Sequence, residues 1–204
     1  MSGRCRSQIN DYIINDQWFS SVCALDNEDI AVAWRSAYQD GNGTGVYATV
    51  IDTTTGNNIT AELQMNEYIA SAQQNPSICA LSNDLFMVAW ESALQDGDGY
   101  GVYMRAVNAT TGTPIFSEVQ VNNYTTGNQW YTALCAPSDK DVVVAWESAY
   151  QDGDGFGIYF SSATLKQTLP SNGKSTSIPG YNYYFMISAI GLSLVVILKK
   201  FKRI

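Results

Sequence analysis

Trp34, Trp90 and Trp146 stand 56 residues apart, and so do Cys23, Cys79 and Cys135, and Tyr47, Tyr103 and Tyr159. Asn10, Asn66 and Asn122 keep the same step, as do Gln17, Gln73 and Gln129. No insertion or deletion breaks the register over two periods. A chain built this way makes one small supersecondary unit several times and buries its core between the copies. Two complete units, about 8–63 and 64–119, are followed by a third, about 120–165, that lacks its last strand.

Each unit reads as four short strands. In the middle copy these are Ser77–Leu81, Leu85–Ala93, Gly101–Asn108 and Ile115–Val121, the last reached through the turn at Thr110–Gly112. Phe86, Val88 and Trp90 alternate with Met87 and Ala89, so both faces of the second strand are apolar and both must be covered. No helical period shows before residue 183. The expected fold is all-β: tandem four-stranded units, β-propeller-like but partial, over residues 8–165, after a remnant at 1–7. Propellers usually close with roughly four to eight blades. The short count fits a truncated array best. Completion of a ring by self-association and a stack of small sheets are the alternatives.

Charge narrows the function. The chain carries 19 acidic and 11 basic residues, and four of the basic ones (Lys199, Lys200, Lys202 and Arg203) crowd the last six positions. The remainder is strongly acidic and repels phosphate backbones, so no nucleic acid is expected as a partner. The sequence contains no histidine, which excludes His-based triads and most zinc sites.

From Tyr183 to Leu198 the chain is uncharged and apolar. Residues 181–198 are expected to form one membrane-spanning helix, with aromatics at one end and a basic tail, 199–204, at the other. The positive-inside rule places that tail in the cytoplasm and the repeats outside the cell, joined by a polar linker over 166–180. No apolar run follows Arg4 and Arg6 to serve as an export signal, which fits an upstream segment missing from this chain. The layout of Ile178-Pro179-Gly180-Tyr181, apolar span and basic end resembles the tripartite sorting tails of archaeal surface proteins, whose third motif residue is usually Phe. That resemblance implies cleavage near the motif by a membrane transpeptidase and attachment to lipid. A plain membrane anchor accounts for the tail equally well.

Four glycosylation sequons begin at Asn42, Asn58, Asn108 and Asn123, all in or beside expected turns. Cys23, Cys79 and Cys135 occupy equivalent positions and are expected as buried small thiols in like surroundings. With the stray Cys5 they make no disulfide framework, and no CxxC pair offers a zinc site.

The best-preserved stretch runs from Trp34 to Tyr47 and recurs at Trp90–Tyr103 and Trp146–Tyr159. It resembles the Trp-x-Ser…Gln-Asp-Gly-x-Gly-x-Gly-Ile/Val-Tyr repeats of large secreted and cell-surface proteins of bacteria and archaea, for which the resemblance implies an adhesive or structural role. Read from its residues, the loop is a glycine-rich hairpin turn. It could also hold calcium, with Asp96 and Asp98, or Asp152 and Asp154, offering hard oxygen donors two residues apart and Glu91 or Glu147 adding a third. In the first copy Asp40 pairs with Asn42, and Arg35 replaces the Glu, so any calcium there is held less tightly. The Asp-boxes of sialidase-like propellers resemble these loops, but there the Trp follows the Asp, whereas here it precedes it.

The expectation is thus a membrane-anchored cell-surface repeat protein, structural or adhesive and not an enzyme, with a surface glycan or protein as ligand. The alternatives are a glycosidase-like propeller enzyme whose catalytic residues lie outside this chain, and a calcium-stabilised spacer.

Overall fold

The computed structural model describes residues 7–25, 28–82, 84–168, 182–189 and 192–196, with side chains up to residue 165. It is all-β: three antiparallel sheets follow one another along the chain. The first sheet contains β1 (Gln17–Ala24), β2 (Ile30–Ala37), β3 (Thr44–Ile51) and β4 (Leu63–Gln64) in that order. The second contains β5 (Gln73–Ser82), β6 (Leu85–Ala93), β7 (Tyr100–Asn108) and β8 (Val119–Gln120). The third begins with β9 (Gln129–Cys135), β10 (Asp141–Ala149) and β11 (Phe156–Thr168). The period of the sequence is thus the period of the fold.

Two strands depart from expectation in the middle unit. The first, β5, is longer and runs through Pro76, because Pro76 sits at a bulge where the register slips between Gln74 and Ser77. A proline without an N–H is tolerated there. The fourth, β8, shrinks to two residues, since Pro114 makes only an isolated bridge to Val107 and Phe116 turns inward to be buried. The second strand, Leu85–Ala93, has the expected bounds.

The sheets stack face to face through two like joints. Residues of one face, here called trailing, belong to cross-strand pairs such as Ala33↔Ala48 in the first sheet and Ala89↔Met104 in the second. The opposite, leading face carries Trp34↔Tyr47, Trp90↔Tyr103 and Trp146↔Tyr159. In the first joint Ala33, Val46, Ala48 and Val50 of the trailing face pack on Phe86, Val88 and Trp90. In the second, Met87, Ala89, Val102 and Met104 pack on Val142, Val144 and Trp146. The middle sheet is therefore covered on both sides, as the double apolar pattern of β6 requires. Strand β10 instead alternates buried and half-buried, because among the described residues no further sheet covers one side of the third.

The cysteines register that end. Cys79 is buried, Cys23 half-buried and Cys135 exposed, so the expectation of like surroundings is corrected: the position faces the next sheet, and among the described residues none covers Cys135. Burial pushes the Cys23 thiol up to about 11 and that of Cys79 to about 12, with the other two thiols adding to the rise at Cys79.

Where a helix was expected over 181–198, the structure has β12 (Asn182–Ala189) and β13 (Leu192–Val196), which extend the third sheet beyond β11. The run is rich in aromatic and β-branched residues, which suit strands, and β11 offers an open edge along Ser162–Thr168. Among the described residues no helix is long and apolar enough to cross a membrane. The Pro-Gly-Tyr motif, most of the linker, the basic tail, Cys5 and most of the remnant at 1–7 lie outside the described residues.

Candidate functional site

Each glycine-rich loop is a hairpin closed in the same way: Tyr38 N donates to Gly43 O, Leu94 N to Gly99 O and Tyr150 N to Gly155 O, at 2.7–2.8 Å. In the first two loops the Gln and Asp are turned to the sheets, whereas Asp152 of the third is exposed. Gln39 donates to Glu62 at 2.6 Å, and Gln95 to Glu118. Asp96 accepts from Asn122 Nδ2 at 3.0 Å, and Asp40 accepts from Asn66 Nδ2 at 3.3 Å.

Those two asparagines precede the next unit and tie it to the sheet before. Asn122 Oδ1 accepts from Val102 N at 2.8 Å, and its amide donates to Tyr124 O and to Gln129 Oε1. Asn66 repeats the set with Val46 N, Tyr68 O and Gln73 Oε1. Within a unit, Glu62 accepts from Asp11 N and Tyr12 N, and Glu118 from Glu67 N and Tyr68 N, the residues just after Asn10 and Asn66. The motif is thus a clamp across each joint. The third glycine exists for the carboxylate: a Cβ on Gly101 would meet Asp96 Oδ2 at 2.5 Å, and one on Gly45 would meet Asp40 Oδ2 at 2.7 Å. Burial, followed by the nearby Asp40 and Glu62, pushes the Tyr47 phenol up, and Asp96 and Glu118 add to the burial of Tyr103 in the same way.

The tentative calcium ligands are therefore distributed otherwise than the loop pattern suggests. Asp40 accepts from Asn42 N as well as from Asn66, Asp98 accepts from Gly127 N at 2.9 Å, and Asp152 accepts from Asp154 N at 3.3 Å. Glu91 does not join Asp96 and Asp98; it accepts from Gln74, Asn75 and Tyr131 N. Among the described residues no group of three or more His, Cys, Asp or Glu is placed to hold a metal ion. Of the sequon asparagines, Asn42 and Asn123 are exposed. Asn58 and Asn108 are half-buried, Asn58 donating to Ile9 O and Asn108 Oδ1 accepting from Thr110 N and Thr111 N.

A different site emerges where the first strands of the units meet. A groove of about 460 Å³ crosses β1, β5 and β9, lined by Phe19, Ser20, Ser21, Asn75, Pro76, Ser77, Tyr131 and Thr132. Phe19, Asn75 and Tyr131 are equivalent by the repeat, and each sits at a bulge with a left-handed backbone, φ 52°, 50° and 52°. Non-glycine residues enter that region at a cost of about 1 kcal/mol or more, and bulky ones rarely do. The bulge turns the rings of Phe19 and Tyr131 outward, leaving them 59% and 65% exposed. Beside them Trp130 stacks on Phe156 at 5.8 Å and meets Tyr131 edge-on at 6.2 Å, while Arg35 lies 4.8 Å over the Phe19 ring.

Glu91 holds this geometry from behind. Fully buried, it spans β5 and β9 through Gln74 Nε2 at 3.0 Å, Asn75 Nδ2 at 2.9 Å and Tyr131 N at 2.7 Å. Burial raises its carboxyl above the ordinary range, against the lowering by those donors and by Arg35. Sequence reasoning missed the groove because the bulges leave no composition signal; the only trace is that positions 19, 75 and 131 share the 56-residue step.

No protein-family model matches the sequence, and no curated protein matches it. Among solved structures the chain is similar to an endo-1,4-beta-xylanase of Bacteroides thetaiotaomicron VPI-5482, at 12% sequence identity and a TM-score of 0.44, over 87% of this chain and 64% of that one. The chain thus spans less than two thirds of that structure's length.

Proposed function

We propose that this chain is a cell-surface binding module, adhesive rather than enzymatic, which takes a glycan along the groove crossing β1, β5 and β9. The observation that carries the reading is the pair of outward rings, Phe19 and Tyr131, with Asn75 between them in the repeat. A saccharide presents apolar C–H faces flanked by hydroxyls. Flat rings on a rigid sheet receive the first, and the Asn75 amide with the Ser20, Ser77 and Thr132 hydroxyls receives the second. The buried Glu91 sits behind the groove and is engaged by three N–H donors, which supports a positioning role over a catalytic one.

Contact of β1 with β5, and of β5 with β9, supports sheets fanned like the blades of a partial β-propeller about their first strands. Anchoring through residues 181–198 as a helix is supported by their uncharged sequence and basic flank. In lipid an open two-stranded edge leaves backbone groups unpaired, whereas a helix satisfies its own. The loops act as clamps, supported by the donors that Asp40, Asp96 and Asp98 already hold.

A glycan array probed with the labelled chain tests the reading. Retention on a defined saccharide class, lost with Tyr131→Ala, supports it; a chain that is folded but retained nowhere overturns it.

A further inference from the structure

We propose that the groove across β1, β5 and β9 takes an uncharged linear polysaccharide, held along an internal stretch that lies on Phe19 and Tyr131 at once. This rests on the saccharide reading above and adds the class of saccharide: a repeating neutral polymer, as opposed to a single sugar or an acidic glycan.

Two rings on different sheets set the length. Phe19 belongs to β1 and Tyr131 to β9, and β5 of the middle sheet lies against both strands. One flat ring receives the face of one sugar. A sugar on Phe19 and another on Tyr131 therefore need at least one more between them to cross β5. The repeat by itself does not account for this layout, because the equivalent position in the middle copy is Asn75, an amide between two rings. Asn75 Nδ2 donates to the buried Glu91 at 2.9 Å, so its Oδ1 is the atom offered to a hydroxyl of the middle sugar.

The spacing is fixed by the floor of the groove. Leu134 N donates to Ser77 Oγ at 3.1 Å, and Thr132 Oγ1 donates to Asn75 O at 3.4 Å, which ties β9 to β5 directly. Subsites held at a set distance favour a ligand whose own units recur at a set distance, since neither partner has to be ordered on binding.

Charge sets the class. The chain has 19 acidic and 11 basic residues, yet no side chain lining the groove is charged. Behind the lining Arg35 and Glu91 are joined to each other: Arg35 Nη1 donates to Gln74 Oε1 at 3.2 Å, and Gln74 Nε2 donates to Glu91 at 3.0 Å. Arg35 also covers one face of the Phe19 ring, at 4.8 Å, and leaves the other for a sugar. An acidic glycan would find no cation in the lining and would approach against the field of an acidic chain. A neutral polymer meets neither obstacle.

The test is calorimetric titration of the full chain with cello-, manno- and malto-oligosaccharides, each from the single sugar to the hexamer, and with a galacturonate ladder. In one neutral ladder the affinity is expected to rise about a hundredfold from single sugar to hexamer, most steeply where the oligomer first reaches both rings. Phe19→Ala and Tyr131→Ala should each flatten that rise, so that the hexamer binds no better than the dimer. Tyr131→Trp keeps a flat ring and the backbone N–H that Glu91 holds, and should preserve it. The galacturonate ladder should bind about tenfold or more weakly than the neutral one, and added salt should leave the neutral affinities unchanged. A single sugar bound as tightly as the hexamer, a length dependence that survives both Ala variants, or tighter binding of galacturonate would each overturn the proposal. So would a chain that takes none of the ladders but is retained by another saccharide on the array, an outcome that leaves the glycan reading standing. Retention nowhere ends both. Far-UV circular dichroism equal to wild type guards against misfolded variants.

Discussion

Asn122 donates to Asp96 across the second joint at 3.0 Å, and Asn66 does the same to Asp40 across the first. One carboxylate in a hairpin and one amide ahead of the next unit thus hold neighbouring sheets in register, while the apolar faces behind them supply the bulk of the burial.

Removing that amide should cost more in the middle of the array than at its start. Asn122→Ala strands Val102 N and the Asp96 carboxylate in a buried site, and a loss of about 2–4 kcal/mol is expected. Asn10→Ala removes only the bonds to Tyr12 and Gln17, and about 1 kcal/mol is expected. Urea unfolding of each variant beside the wild type measures both.

Gly101→Ala is expected to destabilise by about 1–3 kcal/mol through the clash of its Cβ with Asp96, which pushes the carboxylate off Asn122. The effect should shrink when Asp96 is already Ala, since the obstructing group is then gone. Gly97→Ala, strained by its φ of 107° with nothing near its Cβ, should show no such coupling to Asp96. A double-mutant cycle separates the two glycines.

Glu91 gives stability a pH dependence of known sign. Its carboxyl is raised by burial, so the folded chain keeps the proton to higher pH than the unfolded one. That contribution is full below the unfolded value, near the ordinary 4.5, and is lost as pH climbs through the raised folded value. Glu91→Gln should remove this part of the slope, read as the difference between variant and wild-type urea midpoints from about pH 4 to pH 8.

Calcium should leave the thermal midpoint unchanged. A ligand that binds only the folded state stabilises by RT ln(1 + [L]/Kd), so a useful site would show a rise of several degrees at millimolar concentration. Both oxygens of Asp40 and one each of Asp96 and Asp98 already accept from N–H donors. A rise abolished by Asp96→Ala/Asp98→Ala would restore the loops to metal binding.

The repeat made most of this architecture legible: the strand triplet of each unit, the double-sided burial of β6 and the position of the joints all follow from a step of 56 and an alternation of apolar residues. The chemistry of the loop was not legible. Acidic residues two apart beside glycines suit both a metal and a clamp, and only the fold reveals that Asn122 arrives from beyond the hairpin to meet Asp96. The groove was hidden for another reason. Whether Phe19 or Tyr131 faces core or solvent depends on a one-residue slip at a bulge, which reverses the alternation locally and has no marker in composition. The C-terminal run was ambiguous because aromatic and β-branched residues serve a strand in water and a helix in lipid alike.

The central claim is that Phe19 and Tyr131 form a saccharide platform. The measurement that tests it most directly is calorimetric titration of the best array saccharide into the wild type, Tyr131→Ala, Phe19→Ala and Tyr150→Ala, the last replacing an equally exposed ring on a hairpin away from the groove. Loss of about tenfold or more in affinity for each groove variant is expected, with Tyr150→Ala unchanged. Equal affinity in all four proteins would contradict the account and move the binding surface elsewhere.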